Sequence, residues 1–277
     1  MLNHQPSPPS WLKATMRPSN LQGQCSVPFP PITIPSPVLA GRLCLFVENW
    51  KKLTQDSWVL NTIQGYKIAF LTEPHQTRIP ITVVNKEEDA FISEEVQSLL
   101  VKGAFVQATS EHKRFFSNIF TIPKKGGERH PIINLKSLNK FVHHVHFKME
   151  GIQSLRDIIL PQDFMIKLDL KDAYFSIPVH PAHQKFLSFR WKGKTYQFTC
   201  LPFGLSSAPR TFTKVMKPVV AFLRSLGIRT TIRMPRDLRN ATTGFITFVN
   251  VRGALERPNG KQVNWYVFLF HLKLRNF

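Results

Sequence analysis

Two carboxylates three residues apart, Asp169 and Asp172, sit in the run IKLDLKDAYFSIPVH at 166–180. Asp169 lies near the end of an apolar alternating stretch, residues 164–170, whose pattern predicts a buried strand. Asp172 and Tyr174 then fall on the turn that leaves it. A carboxylate at a strand end, with a second just beyond, can hold a hard divalent ion against phosphate oxygens. The same D-x-x-D spacing also describes a solvated turn with two caps, and Tyr174 also reads as an aromatic packed beside a strand.

Upstream, two short β-prone runs at 118–122 and 131–135 flank Lys124-Lys125-Gly126-Gly127-Glu128-Arg129. This predicts a glycine-turned hairpin with cations near its tip. Lys124, Lys125 and Arg129 there could hold a triphosphate, the lysines as point charges and the arginine as a fork. A solvated turn is the competing description.

Downstream, FTCLPFGLSSAPRTFTKVM at 198–216 leads into a helix that Ser207 would cap, Pro209 would open and Gly227 would stop. Phe212, Val215, Met216, Val219, Val220, Leu223 and Leu226 fall on one side of it. Arg210, Lys214, Lys217 and Arg224 fall on the other. The apolar face packs, and the basic stripe either tracks a phosphate backbone or is simply solvated. Pro218 removes a backbone donor in mid-run and predicts a kink.

Taken in order, FSNIFTIPKKGGERHPIINLKSLNKF at 116–141, LDLKDAYFSIPV and LPFGLSSAP resemble the fingers and palm of a retroelement reverse transcriptase. The stretch GRLCLFVENWKKLTQDSWVLNTIQGYKIAF at 41–70 resembles the segment that precedes the polymerase in DIRS-type (tyrosine-recombinase) retrotransposons. The resemblance runs from Val38 to Arg229. It implies an α+β chain carrying a partial right-hand polymerase fold, with Asp169 as a catalytic ligand of Mg2+. It also implies Asp172 and Ala173 at the incoming triphosphate, and Tyr174 as the ring that excludes a ribose 2′-hydroxyl. Phe203, Gly204 and the helix start would lie against nucleotide and template. The implied partners are an RNA template, a DNA primer and deoxynucleoside triphosphates. The family carries a basic residue two positions before the isoleucine pair. Here His130 and Pro131 fill that neighbourhood, and Arg129 stands one residue early.

A two-metal polymerase site needs several carboxylates, and the family draws the others from a Y-x-D-D hairpin soon after this helix. No adjacent acidic pair follows here. After Asp172 the only acids are Asp237, between Arg236 and Arg239, and Glu256. The chain therefore reads as truncated before that motif, with an incomplete palm, an exposed sheet edge and no useful polymerase activity of its own. The alternative is a non-catalytic basic nucleic-acid-binding protein derived from a retroelement. Beyond Thr230 the resemblance stops, as a shifted frame or misjoined exon would cause. A short terminal hairpin is the other possibility, with β-prone runs at 244–251 and 263–269.

Around these motifs the chain divides into a proline- and serine-rich segment expected to be disordered (1–40), a lead-in (41–84), fingers and palm (85–229) and a divergent tail (230–277). Acids open a predicted helix at 87–102, Ile92, Val96, Leu99 and Leu100 form its face, and Lys102-Gly103 closes it. Its 277 residues, 43% hydrophobic, can bury one or two cores, and a net charge of +20 favours a polyanionic partner. No apolar run is long enough to span a bilayer and no signal-peptide order opens the chain, so an intracellular protein, cytoplasmic or nuclear, without membrane contact is expected. Cys25, Cys44 and Cys200 make neither a zinc pattern nor a disulfide framework. His143, His144 and His146 lack a Cys or acid to complete a metal site, and His180 and His183 read as turn residues.

Overall fold

Acids, an asparagine and a glycine delimit the helix Lys86–Val101. In the computed structural model Asn85 accepts from the Glu88 N–H at 2.8 Å while the Glu88 side chain accepts from the Asn85 N–H, a reciprocal capping box. At the other end Gly103 takes the left-handed φ of 68°. The N–H groups of Gly103 and Ala104 then reach the carbonyls of Leu100 and Leu99, both at 2.9 Å, closing a Schellman motif. The structure describes residues 40–108, 113–123, 129–148, 150, 152–161, 163, 165–225, 227–233 and 243–249. Side chains at 122–123, 129–131, 152, 165–171, 231–233 and 243–249 are not among those described. Segment 1–39, Lys124, Lys125, Leu226, Asp237, Glu256 and the β-prone run 263–269 lie outside them.

In chain order the elements are α1 (Val47–Leu53), α2 (Ser57–Gly65), α3 (Lys86–Val101), β1 (Phe105–Gln107), β2 (Ile119–Pro123), β3 (Arg129–Ile133), α4 (Lys136–Asn139), α5 (Ile152–Arg156), β4 (Met165–Lys171), α6 (Pro181–Gln184), β5 (Ser188–Trp191), β6 (Lys194–Phe198), α7 (Ala208–Ser225), β7 (Arg229–Arg233) and β8 (Thr243–Val249). Among the described residues no helix is long and apolar enough to cross a membrane.

Three antiparallel sheets follow. β2 and β3 form the expected hairpin, with Pro123 opposite Arg129 and Ile119 opposite Ile133. β1, β6 and β5 form a second sheet in that order. It is held by aromatic contacts: the Phe105 ring lies 5.0 Å from Phe189, 5.5 Å from Tyr196 and 5.4 Å from Phe198. β5 and β6 are joined by two residues with positive φ, Lys192 at 46° and Gly193 at 74°, as a tight hairpin turn requires.

The third sheet corrects an expectation. β4, which carries Asp169, does not keep a bare edge where the acidic hairpin is missing. β8 pairs with it along its whole length, from Met165↔Val249 to Lys171↔Thr243, and β7 pairs with β8. Strand pairing needs β-prone residues and a reversal of direction; it does not need the carboxylates that a metal site needs. Arg229 ties β7 to the approach to β4, bonding the Ile158 carbonyl at 2.7 Å and the Asp163 carboxylate. α7 ends as predicted at Gly227, in the left-handed region at φ 79°, with a second Schellman closure from Ile228 N–H to Leu223 O at 3.1 Å. Pro218 is accommodated within α7, which continues to Ser225.

The segment 41–70 is built into the same core as α7. Leu43, Trp50, Val59, Ile63 and Ile68 share one buried cluster with Phe212, Val215 and Val219 of α7. Tyr66 makes a parallel bridge to Val179, with Tyr66 N–H to Pro178 O at 2.8 Å and His180 N–H to Tyr66 O at 3.0 Å. Next to that bridge, His183 Nδ1 accepts the Ile68 N–H at 3.2 Å, and its ring stacks on Phe70 at 5.7 Å and 9°. Accepting that bond requires an unprotonated Nδ1. Burial, then His180, Lys67 and Lys185, hold the His183 pKa below its ordinary value.

Two predictions come from these contacts. Gly103→Ala forces a side chain into the left-handed region and should cost about 1–2 kcal/mol, read as a lowered Tm. For His183 both states are neutral above the unfolded pKa. As pH falls below that value the unfolded chain takes up a proton that the folded chain resists, so stability declines toward acid pH. His183→Gln keeps an acceptor without titrating, and its Tm should fall less than that of the parent between about pH 7 and pH 5. Equal slopes in the two proteins would show that His183 is not the titrating group.

Candidate nucleotide and nucleic-acid site

The turn after β4 is fixed by buried charge. Asp172 takes a left-handed φ of 54°, which the short acidic side chain tolerates. A single helical turn, Tyr174–Ser176, follows, with Ser176 Oγ bonding the Ala173 carbonyl at 2.6 Å. Asp172 is only 5% exposed, and Lys102 at the end of α3 places Nζ 3.4 Å from its carboxylate. Arg42, 6% exposed, lies in the field of the same carboxylate; burial lowers its pKa and Asp172 opposes that shift. Asp172 thus neutralises cations from the lead-in and from α3. Its carboxylate is engaged inside the protein, so any contact with a triphosphate at this turn falls to the backbone of Asp172 and Ala173.

The structure brings Tyr174 and Phe203 together. Their ring centroids are 5.1 Å apart, and Tyr174 also meets Phe212 at 5.8 Å while Phe203 meets Phe175 at 5.0 Å. Burial pushes the Tyr174 phenol well up, so the ring is neutral and packed. Gly204 follows with φ 93°, and a Cβ there would come 3.3 Å from the Ile133 carbonyl. The base of the fingers hairpin therefore rests on the loop 203–206. Asn139 fastens it: Nδ2 donates to Gly204 O at 2.8 Å and Oδ1 accepts from Ser206 N–H at 2.9 Å. Arg129 opens β3 four residues from Ile133, roughly 13 Å along the strand, and Lys124 and Lys125 lie outside the described residues.

α7 presents its apolar face as predicted, with Phe212, Val215, Met216, Val219, Val220 and Leu223 buried. The basic stripe is only partly available. Lys214 lies 4.0 Å over the Trp58 ring and 3.9 Å from the Asp56 carboxylate. Arg224 bonds Glu150 at 2.8 Å and the Thr230 carbonyl at 2.7 Å. Lys217 is exposed and Arg210 half-buried. Ser207 does not cap by its side chain: its carbonyl takes the Thr211 N–H at 2.9 Å, and its hydroxyl is buried without a partner.

Asp169 occupies the fifth position of β4, opposite Phe245. Among the described residues no group of three or more His, Cys, Asp or Glu side chains is placed to hold a metal ion. β7 and β8, read as RTTIR and TGFITFV, contribute no carboxylate. Among the described residues nothing adds a second carboxylate beside Asp169, and no step is derived through a divalent ion.

Arg42, Lys102 and Asn139 carry roles that the sequence does not announce. Lys102 shows only as a helix terminus, and no local pattern marks Arg42 or Asn139, the latter bonding residues 65 and 67 positions away.

Residues 122–232 match the family model for reverse transcriptase (RNA-dependent DNA polymerase). The Pol polyprotein of equine infectious anemia virus (strain Wyoming) is 29% identical over 150 residues, covering 52% of this chain and 13% of that protein. The Transposon Tf2-3 polyprotein of Schizosaccharomyces pombe is 32% identical over 94 residues, 34% of this chain and 7% of that one. The chain thus spans only a small part of the length of these curated relatives. The structure of the foamy viral protease-reverse transcriptase in complex with dsDNA matches with a TM-score of 0.51 and 21% identity, over 65% of this chain and 35% of that chain. Its complex with RNA/DNA hybrid matches with a TM-score of 0.50 and 21% identity, over 65% and 22%. This likeness bears on the fold, a mixed helix and strand arrangement shared over part of the chain. Residues 122–232 thus match a reverse transcriptase model, and parts of the chain are similar to retroviral and Tf2 retrotransposon polyproteins.

Proposed function

We propose that this chain is a fragment of a retrotransposon reverse transcriptase of the DIRS-like type, truncated before the Y-x-D-D motif, which binds template–primer nucleic acid without polymerising on its own. The observation that carries the reading is the register of β4. Asp169 stands opposite Phe245, in a sheet whose other two strands bring no acid. A pair of divalent ions held by one carboxylate leaves most of its charge uncompensated. If the incomplete site forfeits even ~4 kcal/mol of transition-state stabilisation, the rate falls about a thousandfold. Mg2+ and deoxynucleoside triphosphates are therefore the ligands of the parent chemistry, and the nucleic acid is the ligand this chain keeps.

The second reading, a retroelement-derived nucleic-acid-binding protein, is favoured by the net charge of +20. Both readings place phosphate contacts on the outer face of α7. Lys217 and Arg210 suit that role, because Lys214 and Arg224 are held by Trp58, Asp56, Glu150 and the Thr230 carbonyl. The relatives whose structures were solved with dsDNA and RNA/DNA hybrid supply the ligand to try first.

Primer extension by the purified chain with magnesium should stay at background, and Asp169→Ala should change nothing. Extension that Asp169→Ala abolishes would sink the proposal. RNA/DNA hybrid should bind with log K falling linearly in log salt. Lys217→Ala should lower that slope by about 1, as the loss of one phosphate contact does. Lys214→Ala should leave the slope near its parent value and lower stability by about 0.5–1 kcal/mol through loss of the Trp58 contact. Salt-insensitive binding would count against both readings.

A further inference from the structure

A second concave site lies on the lead-in, away from the turn that carries Asp172. The exposed side of α2 and the residues after it form a cleft of about 450 Å³ with the start of α6. That is within the range of small-ligand pockets and large enough for one nucleotide. Its wall contains the half-buried Trp58 indole, the exposed amides of Asn61 and Gln64, the exposed Lys67 ammonium and the His180 imidazole. Asn61 and Gln64 are three apart on α2, so they stand on one face of the helix. Gln64 Nε2 donates to the Leu60 carbonyl at 2.8 Å, which leaves its amide oxygen as the acceptor. His180 Nδ1 accepts the Ala182 N–H at 3.3 Å, so the neutral ring carries its proton on Nε2 as a donor.

The lining holds no carboxylate. Asp56, the acid beside it in sequence, is committed elsewhere: it caps α2 by accepting from the Trp58 and Val59 N–H groups, and it pairs with Lys214. An aromatic ring, two amides, a donor imidazole and an ammonium suit a planar base carrying hydrogen-bonding edges next to a phosphate. Lys214 joins this cleft to α7, because its ammonium lies against the Trp58 ring.

We propose that the cleft lined by Trp58, Asn61, Gln64, Lys67 and His180 holds an unpaired nucleotide of a single-stranded nucleic acid that also contacts α7. The proposal rests on the nucleic-acid-binding reading above. It adds a single-strand site on the lead-in, where the duplex contacts of α7 would not suffice.

The test uses the full chain, fluorescein-labelled single-stranded oligouridylate, and a blunt RNA/DNA hybrid with no unpaired bases, at one salt concentration. Lys67→Glu and the double change Asn61→Ala with Gln64→Ala alter exposed side chains and leave the core intact. Each should weaken single-strand binding about tenfold, the loss of roughly one stacked and paired nucleotide, and leave hybrid binding unchanged. Trp58→Ala should do the same, with Trp58→Phe recovering most of the affinity. Unchanged single-strand affinity in these variants, or equal losses on both ligands, would overturn the cleft assignment while the hybrid-binding reading stands. Uridine monophosphate that displaces the oligonucleotide at equal molar concentration would also overturn it, in favour of a free-nucleotide site. If the parent chain binds neither ligand, the reading of the previous subsection falls, and this one falls with it.

Discussion

The charge cluster around Asp172 is the constraint from which the geometry of the site follows. Burying the Asp172 carboxylate and the Arg42 guanidinium is unfavourable unless opposite charge stays close, and the half-buried Lys102 ammonium adds to it, so the elements that carry them are not free to drift apart. Those elements are the start of the lead-in at Arg42, the end of α3 at Lys102 and the turn after β4. Backbone bonds bind the same three: Ala40 N–H to Lys102 O at 3.1 Å and Gly41 N–H to Phe175 O at 2.7 Å. Arg42 Nε remains buried without a partner, so the cluster is not fully satisfied and relies on packing to hold it. Ala173, Tyr174 and Phe203 are placed by this arrangement, as much as by the strand that precedes them.

The sheet separates two properties that the family motif normally combines. In a Y-x-D-D hairpin the same residues that deliver carboxylates also extend the palm sheet. In this chain β7 and β8 extend the sheet with Thr, Ile, Phe, Val and Gly, and the register with β4 runs unbroken over seven residue pairs. The fold can therefore be retained where the donor set is not. Strand pairing and metal binding draw on different atoms, so likeness of fold to reverse transcriptase structures does not by itself imply a metal site.

What could be read from the residues was local. The helix at 86–101 announced itself through its acids, its apolar spacing and Lys102-Gly103. The hairpin of β2 and β3 followed from alternation around a double glycine, and the inner face of α7 from helical spacing alone. The aromatic grouping of Tyr174 with Phe203 was not legible, because neither spacing nor resemblance placed the two rings in contact. The features that escaped are those that join distant residues. Lys214 and Arg224 lie on the stripe that periodicity assigns to solvent, yet each finds a partner in another segment, Trp58 and Glu150. Periodicity reports which side of a helix faces out and says nothing of a neighbour that comes to meet it. The pairing of 243–249 with β4 was equally hidden, because a β-prone run does not name its partner. Ser207 had the composition of a cap, but its hydroxyl forms no cap bond.

The close approach of Gly204 to the Ile133 carbonyl has a mechanical meaning. With 3.3 Å between that oxygen and where a Cβ would stand, and with Asn139 bonded to both sides of the loop, the root of the β2–β3 hairpin is clamped against the palm. Asn134 N–H to Asn118 O at 2.8 Å closes the hairpin at that same level. The hairpin is a cantilever. Rotation about its root would press the Ile133 carbonyl toward Gly204 and strain the Asn139 bonds, so displacement of the hairpin has to be taken up by bending and twisting along β2 and β3 themselves.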